Sequence, residues 1–317
     1  MNSRRIFVLG SANMDLVLAV DRLPREGETL GGGDLALHPG GKGANQACAA
    51  ARLGGRVFMV GQVGSDPFGP RLLASLREAG ADVSRVGVSP RPTGCACIYV
   101  LPGGENSIVI SPGANATLDP RTALAALDDL ADGDLLLSQL ETPLETVEAA
   151  FAHAEARGAT TILDPAPAQP LPSGLLSRVG LLTPNQTEAA CVLGDPMSEI
   201  HDFDQAVAAA SRLIQLGPRA VVMKLGSLGC LWSDGTASQR AEAFRVTAVD
   251  TTAAGDVFNG AYAVALSEGA AVADALRFAN AASAISVTRP GAQTSIPSRS
   301  EVEDLLHQSA TDPSRWK

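Results

Sequence analysis

The amino-acid sequence predicts an α/β fold: a mostly parallel sheet covered by helices on both faces, three layers in all, with a small antiparallel β lid. Apolar runs of strand length alternate with runs of helix length, the pattern of βαβ units in a doubly covered sheet. Two stretches break that rhythm, "ETLGGGDLALHPGG" (28–41) and "TGCACIYVLPGGENSIVISPGANA" (93–116). Both alternate in short bursts around Gly turns and hold no helix. They read as strands of a lid, the alternative being two ordinary surface hairpins. Apolar residues make up 45% of the 317-residue chain, enough for a large core. No repeat, charge block or linker divides it. The expectation is one domain over 1–317, with lid strands from about 14–41 and 91–116.

The elements follow in order. "RIFVLG" (5–10) is a buried strand. Arginines precede it, as in a secretion signal, but the apolar run meets Asp15 too soon for a signal core of roughly 7–15 residues. "NQACAAARLGG" (45–55) is an Ala-rich helix ended by glycine, "VFMVGQVG" (57–64) a strand, and "GPRLLASLREAGAD" (69–82) a helix with a Gly stop. From 134 the alternation is regular: strand "DLLLSQLE", helix "LETVEAAFAHAEARG", strands "TTILDPAP" and "GLLTPN", helices "TEAACVLG" and "FDQAVAAASRLIQLG", strand "AVVMKLG".

Composition narrows the function. A net charge of −10 argues against nucleic acid as the main partner, though a few backbone amides can still hold a small phosphate ligand. No window reaches the ~18 apolar residues of a membrane helix. The cysteines, Cys48, Cys95, Cys97, Cys191 and Cys230, are odd in number and scattered, which suggests reduced thiols and a cytoplasmic protein. Cys95 and Cys97 alternate on a strand pattern, and no second Cys/His cluster completes a zinc site.

In open α/β sheets, ligands bind beyond the carboxyl ends of the strands. Polar residues fall at several such ends: Asn13 and Asp15, Glu141, Asp164, Asn185 and Glu188, with Gly226 at another. Together they mark one rim as a ligand site. "GGKGAN" (40–45) is not a Walker loop, because Gly43 follows Lys42 and Ala36 stands where the first glycine belongs. It reads as a tight turn into a helix, with Gly41 open to a ligand and Lys42 and Asn45 as donors. A flexible turn with an exposed lysine is the other reading.

"VDTTAAGDVFNG" (249–260) carries the chemistry. Small residues at Ala253, Ala254 and Gly255 let backbone N–H groups converge, and a helix starting near Gly255 adds its positive end. Together they make an anion hole of the kind that holds phosphate. Asp256 beside it is placed to take a proton from a hydroxyl. The alternative is an ordinary helix cap. Gly260 keeps the next turn of that helix slim.

These motifs stand in order with "GSANMD", "PGGKGANQA", "QLETPLE", "DPAPA", "TPNQTEA", "LGSLG", "FRVTAVDTTAAGDVFNGA" and "VTRPGAQTS". In that order the chain resembles the ribokinase family, the PfkB-type carbohydrate kinases, nearly end to end. The resemblance implies ATP-dependent phosphorylation of D-ribose at its 5-hydroxyl. The alternatives are a related sugar or nucleoside kinase acting on deoxyribose or another pentose, and a catalytically silent sugar- or nucleotide-binding regulator. It implies that Ser11, Asn13 and Asp15 hold sugar hydroxyls, with Gly41, Lys42, Asn45 and Glu141 as further sugar contacts. Asn185 and Glu188 resemble an N-x-x-E that positions Mg²⁺ and phosphates, largely through water. Lys224 to Gly229, including Gly226 and Ser227, resembles a loop framing ATP, and Asn280 an adenine-side contact. Ala253, Ala254, Gly255 and Asp256 resemble the hole and its base.

A K⁺ site is expected at Asp250 and the Thr252 carbonyl, the alternative being that Asp250 simply caps a turn. The stretch 286–295, which the resemblance brings alongside, would complete an oxygen cage with the carbonyls of Ser286, Arg289 and Gly291 and with Ser295. A homodimer joined through the lids is implied too, and "CACIYV" (95–100) is the expected bare edge. Three residues depart from the family's pattern: Lys224 where Thr is frequent, Asn280 where His is, and Asp164 where Asn is.

Overall fold

The computed structural model describes residues 4–195 and 200–311. Strand β1 (Arg5–Leu9) is the spine of the main sheet. Its Ile6 and Val8 enter one core cluster, and Phe7 and Leu9 the other. That two-sided burial is why the strand reads as an unbroken apolar run. The chain then leaves for β2 (Asn13–Ala19) and β3 (Ala36–Gly40) and returns through α1 (Lys42–Arg52), β4 (Arg56–Gly64), α2 (Phe68–Glu78) and β5 (Asp82–Ser89). Strands β6 (Gly94–Val100) and β7 (Asn106–Ser111) make a second excursion. After α3 (Pro120–Ala126) come β8 (Leu135–Ser138), α4 (Leu144–Ala156), β9 (Thr160–Leu163), α5 (Ser173–Leu176), β10 (Leu181–Leu182), α6 (Gln186–Val192), α7 (Phe203–Gln215) and β11 (Ala220–Lys224). An antiparallel pair, β12 (Cys230–Ser233) and β13 (Ser238–Ala241), precedes α8 (Ala254–Ser267), α9 (Val272–Ser286) and α10 (Arg299–Thr311).

Nine strands form the main sheet in the order β13-β12-β11-β10-β9-β8-β1-β4-β5. All neighbours from β11 to β5 are parallel, and β12 alone runs against the rest, antiparallel to both β11 and β13. Helices α1, α8 and α9 pack on one face, and α3, α4 and α7 on the other. The chain builds outward from β1 toward β4 and β5, then crosses to β8 and builds the other way. The order therefore reverses between β1 and β8, where an α/β sheet opens a crevice for ligand.

The second sheet has the order β3-β2-β6-β7. Its outer pairs are antiparallel, and β2 and β6 run parallel at its centre. The expected bare edge at "CACIYV" is corrected: those residues lie in β6, which is paired on both sides. The edges of this sheet are β3 and β7, and in β7 Ile108, Val109 and Ile110 are 51%, 65% and 46% exposed.

Several boundaries differ from the expected ones for local reasons. The strand "GLLTPN" shrinks to Leu181–Leu182 because Pro184 has no N–H for the ladder. Helix α1 starts at Lys42, ahead of Asn45, because Gly41 turns the chain at φ 89°, which favours glycine. β5, β12 and β13 lack the apolar alternation that marks strands.

Helices α1 and α8 cross closely. A Cβ on Gly260 would sit 2.7 Å from Ala49 Cβ and 2.8 Å from the Gln46 carbonyl. The crossing brings the first turn of α1 against the first turn of α8. Among the described residues, no helix is long and apolar enough to cross a membrane.

Candidate active site

At the crevice between β1 and β8, residues just past the two strands meet. Glu141 accepts hydrogen bonds from the Ser11 hydroxyl, from the Lys42 backbone N–H at 3.1 Å and, at 3.5 Å, from Asn13 Nδ2. Asn13 is held from behind by Asn115, whose Nδ2 donates to Asn13 Oδ1 at 2.7 Å. Asp15 lies one residue pair along β2, opposite His38. A Cβ on Gly40 would fall 2.2 Å from its Oδ2, so the glycine leaves the carboxylate its room. Burial, then the charges of Glu141 and Asp256, push Asp15 up to about 7.

Asp256 is the third residue of α8, and it does not cap that helix. The capping position is Ala253, at φ 58°, with no side-chain cap. The carboxylate accepts instead from α1: Asn45 Nδ2 donates to Oδ2 at 3.0 Å, and Gln46 Nε2 to Oδ1 at 2.9 Å. Burial pushes Asp256 above the usual carboxylate range; Lys42 draws it back and Asp164 adds to the rise. The Ala254 N–H turns back to the Thr251 carbonyl at 3.2 Å. The N–H groups of Gly255 and Asp256 are left in the first turn, where no i−4 carbonyl lies within the helix. Of the donors expected to form an anion hole, those two remain in the first turn and the Ala254 donor is used within the turn.

Beside the hole lies a cavity of about 400 Å³, lined by Lys42, Asp164, Glu188, Lys224, Gly255 and Asp256 among others. Lys224 Nζ is 2.8 Å from Asp164 Oδ1 and 3.8 Å from Glu188 Oε2. Burial lowers the proton affinity of both lysines, but the carboxylates around them more than offset it, so Lys42 and Lys224 stay charged. Asn185 and Glu188 form a capping box at the start of α6, each bonding the other's backbone N–H at 2.8 Å. Burial raises Glu188, against the pull of Lys224.

A second cavity, about 640 Å³, adjoins the first and is lined by Ser227, Phe244, Val246, Ala248 and Val287, with Gly226, Ala254 and Asn280 common to both. Asn280 Nδ2 donates to the carbonyls of Ala241 at 3.0 Å and Glu242 at 3.2 Å. Gly229, at φ 101°, closes the 226–229 turn, its carbonyl accepting from Leu225 N–H at 2.8 Å.

Ser11, Asn13, Asp15, Gly41 and Glu141 line neither cavity. Lys42 is the link: its backbone meets Glu141, and its side chain lines the smaller cavity. The two stretches expected to cage a cation do lie together. Asp250 accepts from Thr252 N–H at 2.9 Å and from Gly291 N–H at 2.8 Å, and Val249 N–H donates to Val287 O at 2.7 Å. Ser286 and Ser295 turn their hydroxyls to carbonyls three residues back, while the Ser286 carbonyl accepts from Arg289 N–H at 3.1 Å.

The sequence did not reveal Gln46, Asn115 or Gln293. Gln46 donates to both Asp256 and Asp164 while its Oε1 accepts from Gln139 at 2.6 Å. Gln293 Nε2 donates to Asn45 Oδ1 at 3.2 Å. The available signal for Gln46 was its place beside Asn45 in the helix that follows the glycine turn.

Comparison with known proteins places the chain among known kinases. The chain is 43% identical to a ribokinase of Haemophilus influenzae over 304 residues, covering 96% of this chain and 98% of the relative. Its fold superposes on the crystal structure of ribokinase from Thermotoga maritima with a TM-score of 0.87 at 40% identity, over 96% of this chain and 99% of that one. Against the structure of Arabidopsis thaliana ribokinase complexed with ribose and ATP, the TM-score is 0.88 at 33% identity, with the same coverage. The pattern of the pfkB family carbohydrate kinases matches residues 3–299, and the chain belongs to the pfkB family of carbohydrate kinases.

Proposed function

We propose that the chain transfers the γ-phosphoryl group of ATP to the 5-hydroxyl of D-ribose, giving ribose 5-phosphate and ADP. The observation that carries the chemistry is Asp256, oriented by Asn45 and Gln46 beside free first-turn N–H groups of α8. The names of the relatives support ribose as the sugar. Ribose lies against Ser11, Asn13, Asp15 and Glu141, under the second sheet. Gly41 lets it approach the backbone. Adenine occupies the larger, more apolar cavity beside Ser227 and Asn280, and the phosphates run through the smaller one. Asp256 takes the proton of the 5-hydroxyl as that oxygen bonds to the γ-phosphorus. The bond to the bridging oxygen breaks, and ADP carries that oxygen away. The N–H groups of Gly255 and Asp256, with Lys42, hold the charge on the transferred group. Catalysis is then mostly positioning and electrostatics.

Asn185 and Glu188 suit a Mg²⁺ ion reached largely through water. Their capping box leaves lone pairs on hard oxygens, and Mg²⁺ usually keeps waters and phosphate oxygens in its shell. Such an ion neutralises phosphate charge. We place K⁺ where the loops at 249–252 and 286–291 meet at Asp250, because one carboxylate with carbonyl oxygens suits K⁺. Held there, K⁺ would steady the turn that presents the anion hole. A cytoplasmic site of action fits the free thiols and the use of ATP.

The test is ADP release with ribose, deoxyribose, other pentoses and nucleosides at saturating Mg²⁺, in K⁺ and in Na⁺ at equal ionic strength. Ribose should give the highest kcat/KM, and K⁺ should raise kcat as well as lower KM. A preference for deoxyribose moves the substrate within the class. No turnover alongside tight ribose binding leaves the silent regulator, and equal rates in both salts remove the cation site.

The second sheet is also the proposed dimer surface, because the open edge of β7 carries Ile108, Val109 and Ile110. Light scattering at assay concentrations should give twice the 32.4 kDa of one chain. A single-chain mass would count against pairing through the lids.

A further inference from the structure

We infer that Lys224 is a catalytic residue: its ammonium contacts the transferred phosphoryl group at the mouth of the α8 anion hole, as a second cation beside Lys42. The inference rests on the kinase reading above and assigns the lysine more than a place in the loop that frames the nucleotide.

Four observations carry it. Lys224 Nζ lies 3.5 Å from where a Cβ on Gly255 would be, so the missing side chain of Gly255 leaves the ammonium open to the hole. Both residues line the same cavity as Asp256. An ammonium has three N–H donors. The Asp164 contact at 2.8 Å uses one, and Glu188 at 3.8 Å lies beyond hydrogen-bond reach. Donors therefore remain for an anion, in a side chain only 12% exposed. The ammonium is also held rigidly against the base. Asp164 Oδ2 accepts from Gln46 Nε2 at 2.8 Å, and the same nitrogen donates to Asp256 Oδ1 at 2.9 Å. Lys224, Asp164, Gln46 and Asp256 form one buried chain. A cation preorganised in this way acts on charge as it develops, without reorganising.

The competing role is structural: Lys224 could serve only to neutralise buried Asp164. Lys224→Met alone confuses the two roles, because it strands a carboxylate. The decisive comparison is Asp164→Asn against the double variant Asp164→Asn/Lys224→Met, which leaves no charge stranded at 164, while Glu188, 3.8 Å from the ammonium, keeps Lys42 as a cationic neighbour. Relative to Asp164→Asn, the double variant should lose about 10²–10³-fold in kcat, as for a lost transition-state donor. The sugar KM should move by no more than about threefold. Equal kcat in the two variants would make the lysine a counter-ion and overturn the inference.

A binding measurement keeps the inference separate from the kinase reading. By calorimetry, any preference of the unmodified protein for AMP-PNP over ADP should fall about tenfold in the double variant, the loss of one charge-assisted contact. If the unmodified protein turns over no sugar, the kinase reading fails, and this comparison decides alone: an unchanged preference rules out contact with the terminal phosphate. Melting curves of all three proteins check the fold.

Discussion

Asp256→Asn should lower turnover by about 10²–10⁴-fold, the range for a lost general base. The asparagine keeps the shape of the carboxylate and one oxygen to accept from α1. It cannot take the proton of the sugar hydroxyl, and its amide nitrogen would face a donor, either Asn45 Nδ2 or Gln46 Nε2. Sugar affinity should change far less, because Ser11, Asn13 and Glu141 are untouched. The raised proton affinity of Asp256 also sets the sign of the pH profile. The base works only when ionised, so activity is lost as pH falls through its pKa, and burial moves that limb above the position for an ordinary aspartate. Steady-state rates and ribose calorimetry on the purified variant check both parts. Near-normal turnover would return Asp256 to the role of a structural acid.

Asp15→Ala should remove most of the ribose affinity and leave ATP binding intact. Ribose hydroxyls that lose their acceptor in a closed site cost about 1–3 kcal/mol, more where the partner is charged, and 1.4 kcal/mol is about tenfold in affinity. Neither nucleotide cavity is lined by Asp15, which is why the two affinities should separate. The same residue predicts a pH effect. In the empty site Asp15 is pushed up to about 7 by burial and by the charges of Glu141 and Asp256. Sugar hydroxyls donate to the ionised form, so binding releases a proton. Affinity should be full above about 7 and fall about tenfold per pH unit below it. Asp15→Asn should flatten that dependence. Calorimetry with ribose and with ATP across neutral pH is the measurement. An equal loss of ATP binding in Asp15→Ala would make the residue structural and misplace the sugar.

Much of this site is encoded in short windows. The glycine turn before α1, the small residues before α8 and the acid that follows are each set by a few neighbouring positions. Turn geometry and helix termini depend on φ, ψ and side-chain size within about one turn. The sheet was legible for a related reason, since alternating strand- and helix-length runs report burial on both faces. Where that local signal fades, the reading faded with it. β5 and β13 are edge strands that carry polar and small residues, β12 is only four residues long, and β10 is cut short by Pro184.

What the sequence determined by itself is the class of fold and the local turns that open α1 and α8, where the site is proposed. The tertiary structure decided which groups touch Asp256. Gln46 and Asp256 are 210 residues apart in the chain, and Lys224 and Asp164 are 60 apart. Asp164 and Lys224 stood out in the sequence as two separate departures from the family's pattern. Only the fold sets them 2.8 Å apart with opposite charges. It likewise put "CACIYV" between two partner strands and left β7 at an edge. The physical reason is that such distances depend on how closely whole elements pack. At the α1–α8 crossing that closeness rests on Gly260 against Ala49, residues whose sequence signal is only that they are small.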